Sequence, residues 1–250
     1  MIVLLSPAKN LNFKSQNITK HHSQPSFLED SRKIMHKLQR LTKKQIADLM
    51  SINQNLTELN YQRFKEWHLP FTTDNAMQAV FAFNGEVYSG LKARELSEDD
   101  LLFAQNHVRI LSGLHGILKP LDLIQPYRLE MGTKLIVDRK RDLYRFWDNK
   151  LTENIKKENK SGVLVNLASN EYFKAVDKGH TFRVIQPVFK ELYKGEYKTI
   201  TIYMKKARGM MTRFIIRERI TNPEDLKHFE EDGYFFNVNM SEGDEWVFTR

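Results

Sequence analysis

Apolar residues gather into short runs along the chain, and their spacing sorts strands from helices. Ile2-Val3-Leu4-Leu5 is apolar on both faces and stops at Ser6-Pro7, which predicts a short strand buried on both sides. Residues 10–24 are polar and read as a loop. Between residues 26 and 65, Leu38, Leu41, Ile46, Leu49 and Met50 recur at three- and four-residue steps with charges between them. That is the period of an amphipathic helix, and breaks near Thr42 and Leu56 predict two or three short helices rather than one long one. A second apolar run, 79–83, ends in Asn84-Gly85, and Ser97-Glu98-Asp99-Asp100 has the form of a capped helix start with acids in its first turn.

Farther on, 108–111 and 117–118 flank a Gly-containing turn, 129–131 and 135–137 read as extended, and 142–156 as helix. Val163–Leu167 is the clearest strand, followed by a helical piece at 170–176. Segments 182–189 and 197–204 read as strands joined by a turn at Lys194-Gly195-Glu196. Residues 205–220 read as a helix ended by Asn222-Pro223, with edge strands at 234–237 and Glu245–Thr249. Strands and helices alternate without a linker, repeat or low-complexity tract. The expectation is an α/β protein: a single mixed-sheet domain over 1–250 with a helical subdomain near residues 26–75.

Composition narrows the function classes. The chain has no Cys, which removes disulfides, thiolate nucleophiles and Cys-based zinc sites. No run approaches the roughly 18 apolar residues of a membrane span, and the apolar start lacks the basic region of a signal peptide. A cytoplasmic protein without membrane contact is expected. Against 31 Asp+Glu stand 39 Lys+Arg, a formal charge of +8 that favours encounter with polyanions. No metal-ligand spacing stands out (His21-His22 lies in a polar loop), so neither metal nor cofactor is expected.

Five segments carry candidate chemistry. Ser6 and Lys9 follow the first strand, where open α/β sheets gather ligands, and a hydroxyl with an ammonium suits phosphate or carboxylate. Asn84-Gly85-Glu86-Val87-Tyr88 offers an amide, a carboxylate and a phenol after an apolar run. In 110–132, Gly113 and Gly116 could bring backbone N–H groups against a phosphate, His115 reads as a structural residue, and Arg128 with Glu130 would share a face if extended. Asn166-Leu167-Ala168-Ser169-Asn170-Glu171 leaves a strand and starts a helix, with Lys174 beyond it; a Ser169 or Asn170 cap would account for part of this. Finally, 205–219 places Ala207, Met210, Met211, Phe214 and Ile215 on one side of a helix. Lys205, Lys206, Arg208, Arg213, Arg217 and Arg219 fall on the other, six bases against one acid.

Taken together these blocks resemble the YaaA family: Leu-Leu-Ser-Pro-Ala-Lys at 4–9, Phe-Asn-Gly-Glu-Val-Tyr-Ser-Gly-Leu at 83–91, the long block at 111–132, Asn-Leu-Ala-Ser-Asn-Glu-Tyr-Phe-Lys at 166–174, and Lys-Lys-Ala-Arg-Gly-Met-Met-Thr-Arg-Phe-Ile-Ile at 205–216. The resemblance implies a cytoplasmic bacterial protein of the peroxide response that binds DNA and limits oxidative DNA damage. It also implies an α/β fold with a basic cleft and a helix-hairpin-helix element. Residues 46–63 are one candidate for that element, with Ser51 and Asn53 where hairpin glycines would stand; 112–116 is the other.

Two readings follow. As a DNA-binding stress protein, the chain would engage backbone phosphates through Ser6, Lys9, Arg128, Lys174, Lys205, Lys206, Arg208, Arg213 and Arg217, with little sequence specificity. As an enzyme acting on a nucleotide, nucleobase or other phosphorylated small molecule, it would use Glu86, Glu130 or Glu171 as acid or base in the same cleft. What separates them is whether the five segments converge on one cavity.

Overall fold

A computed structural model describes residues 1–14, 18–176, 179 and 181–250. The chain opens with β1 (Ile2–Leu5) and the two-residue β2 (Asn10–Leu11), then packs α1 (Leu28–Gln39), α2 (Lys43–Met50) and α3 (Gln54–Glu66) in succession. Their boundaries come from local chemistry. Thr42 and Gln45 form a reciprocal capping box on α2, and the Asn53 side chain accepts from the Leu56 N–H at the start of α3. Between them Ser51 sits at φ 50°, in the left-handed region that ends a helix.

Short elements follow: β3 (Met77–Gln78), α4 (Ala79–Ala82), β4 (Phe83–Asn84) and α5 (Glu86–Leu91). After them come α6 (Glu98–His107), β5 (Val108–Ser112), β6 (Gly116–Leu118) and β7 (Leu123–Ile124). The expected Ser97 cap is present, and Asp100 completes its capping box. Next come α7 (Leu143–Trp147), α8 (Lys150–Glu158), β8 (Val163–Leu167) and α9 (Asn170–Phe173). The chain closes with β9 (Arg183–Tyr193), β10 (Glu196–Lys198), α10 (Thr201–Arg217), β11 (Phe235–Phe236) and β12 (Glu245–Thr249).

The main sheet has eight strands in the order β11-β12-β9-β8-β1-β5-β6, with β10 added to β9. Its centre is parallel, and β6, β10 and β11 run antiparallel to their neighbours. This is the mixed α/β sheet the sequence predicts. One buried cluster runs from β1 through β12 and takes in Ile34, Met35, Leu38, Ile46 and Phe64 of α1–α3. Among the described residues no helix is long and apolar enough to cross a membrane.

Four expectations need correction. The strand expected at 197–204 stops at Lys198, and α10 begins at Thr201, four residues before the expected helix start. The helix expected at 142–156 is two helices, broken where Asp148 takes φ 43°. Residues 129–131 and 135–137 form no strand. The Gly113/Gly116 turn is no phosphate loop: a Cβ on Gly113 would meet the Leu129 carbonyl at 2.5 Å, and Gly116 (φ 67°) faces Leu151 and Trp147. Both glycines are needed for packing of a fully buried hairpin.

Candidate functional site

Strand order decides where a ligand fits. From β1 the chain crosses to β5 on one side, and from β8 it continues to β9 on the other, so the loops leaving β1 and β8 diverge. Such a switch point leaves a crevice outside the carboxyl ends of the strands. The Ser169 N–H donates to Ser6 Oγ at 2.9 Å and ties the two loops together across it.

A cavity of about 460 Å³ opens there, within the usual size range for small-molecule sites. All five segments reach it: Ser6–Asn10, Asn84–Tyr88, 127–130, Ser169 with Glu171 and Tyr172, and Lys205 with Arg208. Helix packing fixes the last pair. A Cβ on Gly209 would run into the Val87 carbonyl, and one on Gly90 into the Lys206 carbonyl, so α5 and α10 touch backbone to backbone. Glu86, on the first turn of α5, therefore shares the cavity with Lys205 and Arg208 of α10.

The cations of the cavity are unequally matched. Glu130 bridges two of them, with Lys9 Nζ 3.0 Å from Oε2 and an Arg128 terminal nitrogen 3.0 Å from Oε1. Arg208 has no carboxylate partner among the described residues, its Nε is buried without a hydrogen bond, and burial holds its pKa below the usual arginine range. The Arg128 Nε is likewise buried and unpartnered. Of the three carboxylates, Glu171 accepts the Gly132 N–H at 2.8 Å and holds the 128–132 loop in place. Glu86 makes no hydrogen bond or ion pair among the described residues and stays open to the cavity.

Three phenols complete the lining. Tyr88 donates to the Ser6 carbonyl at 3.0 Å, and Tyr127 pairs with Ser112 Oγ at 2.6 Å. Burial raises the pKa of Tyr88, Tyr127 and Tyr172, so all three stay protonated, with the Tyr88 proton committed to Ser6. Ser169 occupies the N-cap position of α9 without a side-chain capping bond, so the cap expected there does not consume its hydroxyl. The sequence offered the Tyr88 phenol and the segment holding Ser169 as candidates; Tyr172 carried no signal of its own beyond its place just after the apolar β8.

Other sequence candidates lie elsewhere. Asn166 is buried beneath the turn, where its side chain accepts from Ala168 N–H and donates to Gln186. Lys206 pairs with Asp232, Arg213 with Glu95 and the Leu91 and Lys92 carbonyls, and Arg219 with Asp100. Lys174 and Arg217 are exposed and do not line the cavity. The basic helix thus splits into a cavity end and an outer part largely matched by acids. His115 is buried and bonded to Ser31, and burial lowers its pKa to about 3, which fits the structural role expected of it.

A second depression of about 270 Å³ adjoins the cavity and shares Arg128, Glu130 and Glu171 with it. Leu49, Met50 and Ser51 at the α2–α3 turn form its other wall, so the helical hairpin expected at 46–63 stands beside the site. Among the described residues no group of three or more His, Asp or Glu is placed to hold a metal ion.

The sequence model of a family described as peroxide stress protein YaaA matches residues 1–240. The chain belongs to this family. Its relatives include a UPF0246 protein of Cellvibrio japonicus, 50% identical over 254 residues, covering 100% of this chain and 98% of the relative. A UPF0246 protein of Teredinibacter turnerae is 49% identical over 254 residues, covering 100% and 99%. One from Burkholderia mallei is 49% identical over 256 residues, covering 100% and 98%. Membership of the YaaA family supports a role in peroxide stress.

Proposed function

We propose that this YaaA-family protein, acting in the cytoplasm under peroxide stress, holds a phosphorylated nucleotide-class small molecule in the cavity at the ends of β1 and β8. The observation that carries this is Arg208. A guanidinium that is half-buried, lacks a carboxylate partner among the described residues and has a buried, unbonded Nε is costly unless an anion completes it. Lys205 on the preceding turn adds charge, Tyr172 and Ser169 add hydroxyls, and Pro7, Ala8, Val87 and Leu129 add apolar wall. Glu86 is the acid–base candidate, because Glu130 is held by two cations and Glu171 by a backbone amide.

Thermal unfolding with nucleosides and nucleoside phosphates tests this. A ligand at a hundredfold excess over its Kd stabilises the fold by about 2.7 kcal/mol, which is roughly 5–11 °C for a chain this long. Phosphorylated ligands are expected to give such shifts, nucleosides smaller ones, and Arg208→Gln is expected to erase the difference. Equal shifts in both proteins would sink the reading.

A second reading, binding of DNA and limitation of its oxidative damage, draws on the adjoining depression. A groove leads from the cavity to the α2–α3 hairpin, and Arg63 of α3 has its pKa lowered by burial and by the nearby Arg128 charge. On this reading duplex binding weakens with salt, with a log–log slope of about −0.9 per phosphate neutralised. Arg63→Gln would flatten that slope; a slope unchanged by Arg63→Gln and Arg128→Gln together would refute binding through this groove.

A further inference from the structure

We infer that the cavity reads the sugar of its ligand: Glu86, flanked by Asn10 and Asn84, accepts the vicinal 2′- and 3′-hydroxyls of a ribose whose 5′-phosphate sits on Arg208 and Lys205. The inference rests on the cavity reading above and names the sugar class within it.

A carboxylate in an anion site repels every phosphate that enters, so it lowers affinity unless the ligand also brings donors to it. Two of the three cavity carboxylates are already occupied, Glu130 by Lys9 and Arg128, and Glu171 by the Gly132 N–H. Glu86 is open to the cavity and forms no ion pair or hydrogen bond among the described residues. The cation nearest to it along the helix seam does not close on it. Gly90 meets the Lys206 carbonyl and Gly209 the Val87 carbonyl, so α5 and α10 run antiparallel. Glu86 and Arg208 each stand one residue from that second contact, and both line the cavity, yet no ion pair joins them.

Neutral groups gather beside Glu86. Asn10 of β2 lies directly opposite Asn84 of β4, a register that sends both side chains to one face. Both line the cavity, and neither side-chain amide is hydrogen-bonded among the described residues. Two amides and a carboxylate suit hydroxyls, which donate and accept, rather than a second phosphate. An ionised carboxylate only accepts, and the two O–H groups of a vicinal diol fill its two oxygens. In a nucleotide the ribose hydroxyls lie nearer the 5′-phosphate than the far edge of the base does, and the short step from Arg208 to Glu86 across the seam favours them. A carboxylate on a hydroxyl is also placed to withdraw its proton, so this contact and the acid–base candidacy of Glu86 share one geometry. Deoxyribose presents one hydroxyl fewer, and a sugar inside a DNA strand presents neither.

The test is calorimetry of wild type and Glu86→Gln with a ribonucleoside 5′-monophosphate and its 2′,3′-dideoxy counterpart. Both ligands carry the same phosphate, so repulsion from Glu86 cancels in their ratio. The wild type is expected to bind the ribose form at least about tenfold more tightly, a factor equivalent to about 1.4 kcal/mol. In Glu86→Gln the ratio is expected to fall below about threefold, since an amide has a single acceptor oxygen. The dideoxy ligand is expected to bind the variant no more weakly than wild type. If both ligands lose affinity alike, Glu86 only shapes the cavity, and the inference is overturned. A ratio that survives the substitution overturns it too. Equal binding of the two ligands by wild type overturns it without need of a variant, and leaves the cavity reading standing when the unphosphorylated nucleoside binds more weakly. Absence of binding by either monophosphate removes both. Ribose 5-phosphate forms a further arm. Affinity matching the nucleotide assigns the ligand to sugar phosphates, weaker affinity assigns it to nucleotides, and both keep the diol contact.

Discussion

Arg208→Met removes the unmatched cation and keeps most of the side chain's length. If the guanidinium is there for a ligand, the fold bears its desolvation without return whenever the ligand is absent. The idealised penalty for burying an ion is far larger than the net effect in a real protein, and replacement even of a buried ion pair by apolar residues of similar volume is often neutral or stabilising by about 1–4 kcal/mol. Arg208 faces a cavity rather than a sealed core, so the lower half of that range applies, about 1–2 kcal/mol. For a chain of this length that is a rise in Tm of roughly 2–8 °C. Urea and thermal unfolding without ligand are the assays, with nucleotide affinity measured on the same samples. The expected pattern is a more stable protein that binds a nucleoside monophosphate at least about tenfold more weakly. A variant that melts below wild type would refute the reasoning, because Arg208 would then be held by contacts the fold itself requires.

Other outcomes follow from packing and charge. Gly209→Ala puts a methyl group into the Val87 carbonyl and forces α5 from α10, with an expected loss of about 3 kcal/mol in urea unfolding or failure to fold. A loss under about 1 kcal/mol would mean that the two helices separate easily. Arg213→Ala is expected to cost about 1–2 kcal/mol, because its guanidinium ties the Leu91 and Lys92 carbonyls and Glu95. Nucleotide affinity should stay within about twofold, since Arg213 does not line the cavity. Asp122 is raised by burial to about 6, so between pH 4 and 6 the folded state holds more protons there than the unfolded chain, and this group's contribution falls as pH rises. His115, lowered by burial to about 3, contributes in the opposite sense over the same window. Asp122→Asn should therefore unmask a stability that climbs from pH 4 to 6.5 by about 2–3 kcal/mol more than in wild type; equal climbs would contradict the assignment.

Much of the frame was legible because local signals agreed with one another. β1 is an uninterrupted apolar run, β8 is apolar but for Asn166, the break at Thr42 separates α1 from α2, and Ser97 announces α6 through its cap. The start of α10 was misread because Thr199-Ile200-Thr201-Ile202-Tyr203 is β-branched and aromatic, the composition of a strand. No side chain caps that helix; its backbone contact with α5 at Gly90 and Gly209 overrides propensity. Those two glycines lie 119 positions apart, and nothing near either one in sequence marks the pairing. The same holds for the site. Convergence of five segments was foreseeable from their places at strand ends, and it occurred. Which cations remain unmatched was not, since Asp232, Glu95, Asp100 and Glu130 neutralise their partners from distant segments or across a loop. Six bases on one helix looked like a continuous polyanion face, whereas Arg208 and Lys205 are the part that faces the cavity.

A crystal structure of the protein grown with a nucleoside 5′-monophosphate tests the central claim most directly. The account predicts phosphate density between Arg208 and Lys205, within hydrogen-bond reach of the Arg208 guanidinium, and the base or ribose toward Glu86. Density at the α2–α3 hairpin with the cavity unchanged, or no ordered ligand at saturating concentration, would contradict it.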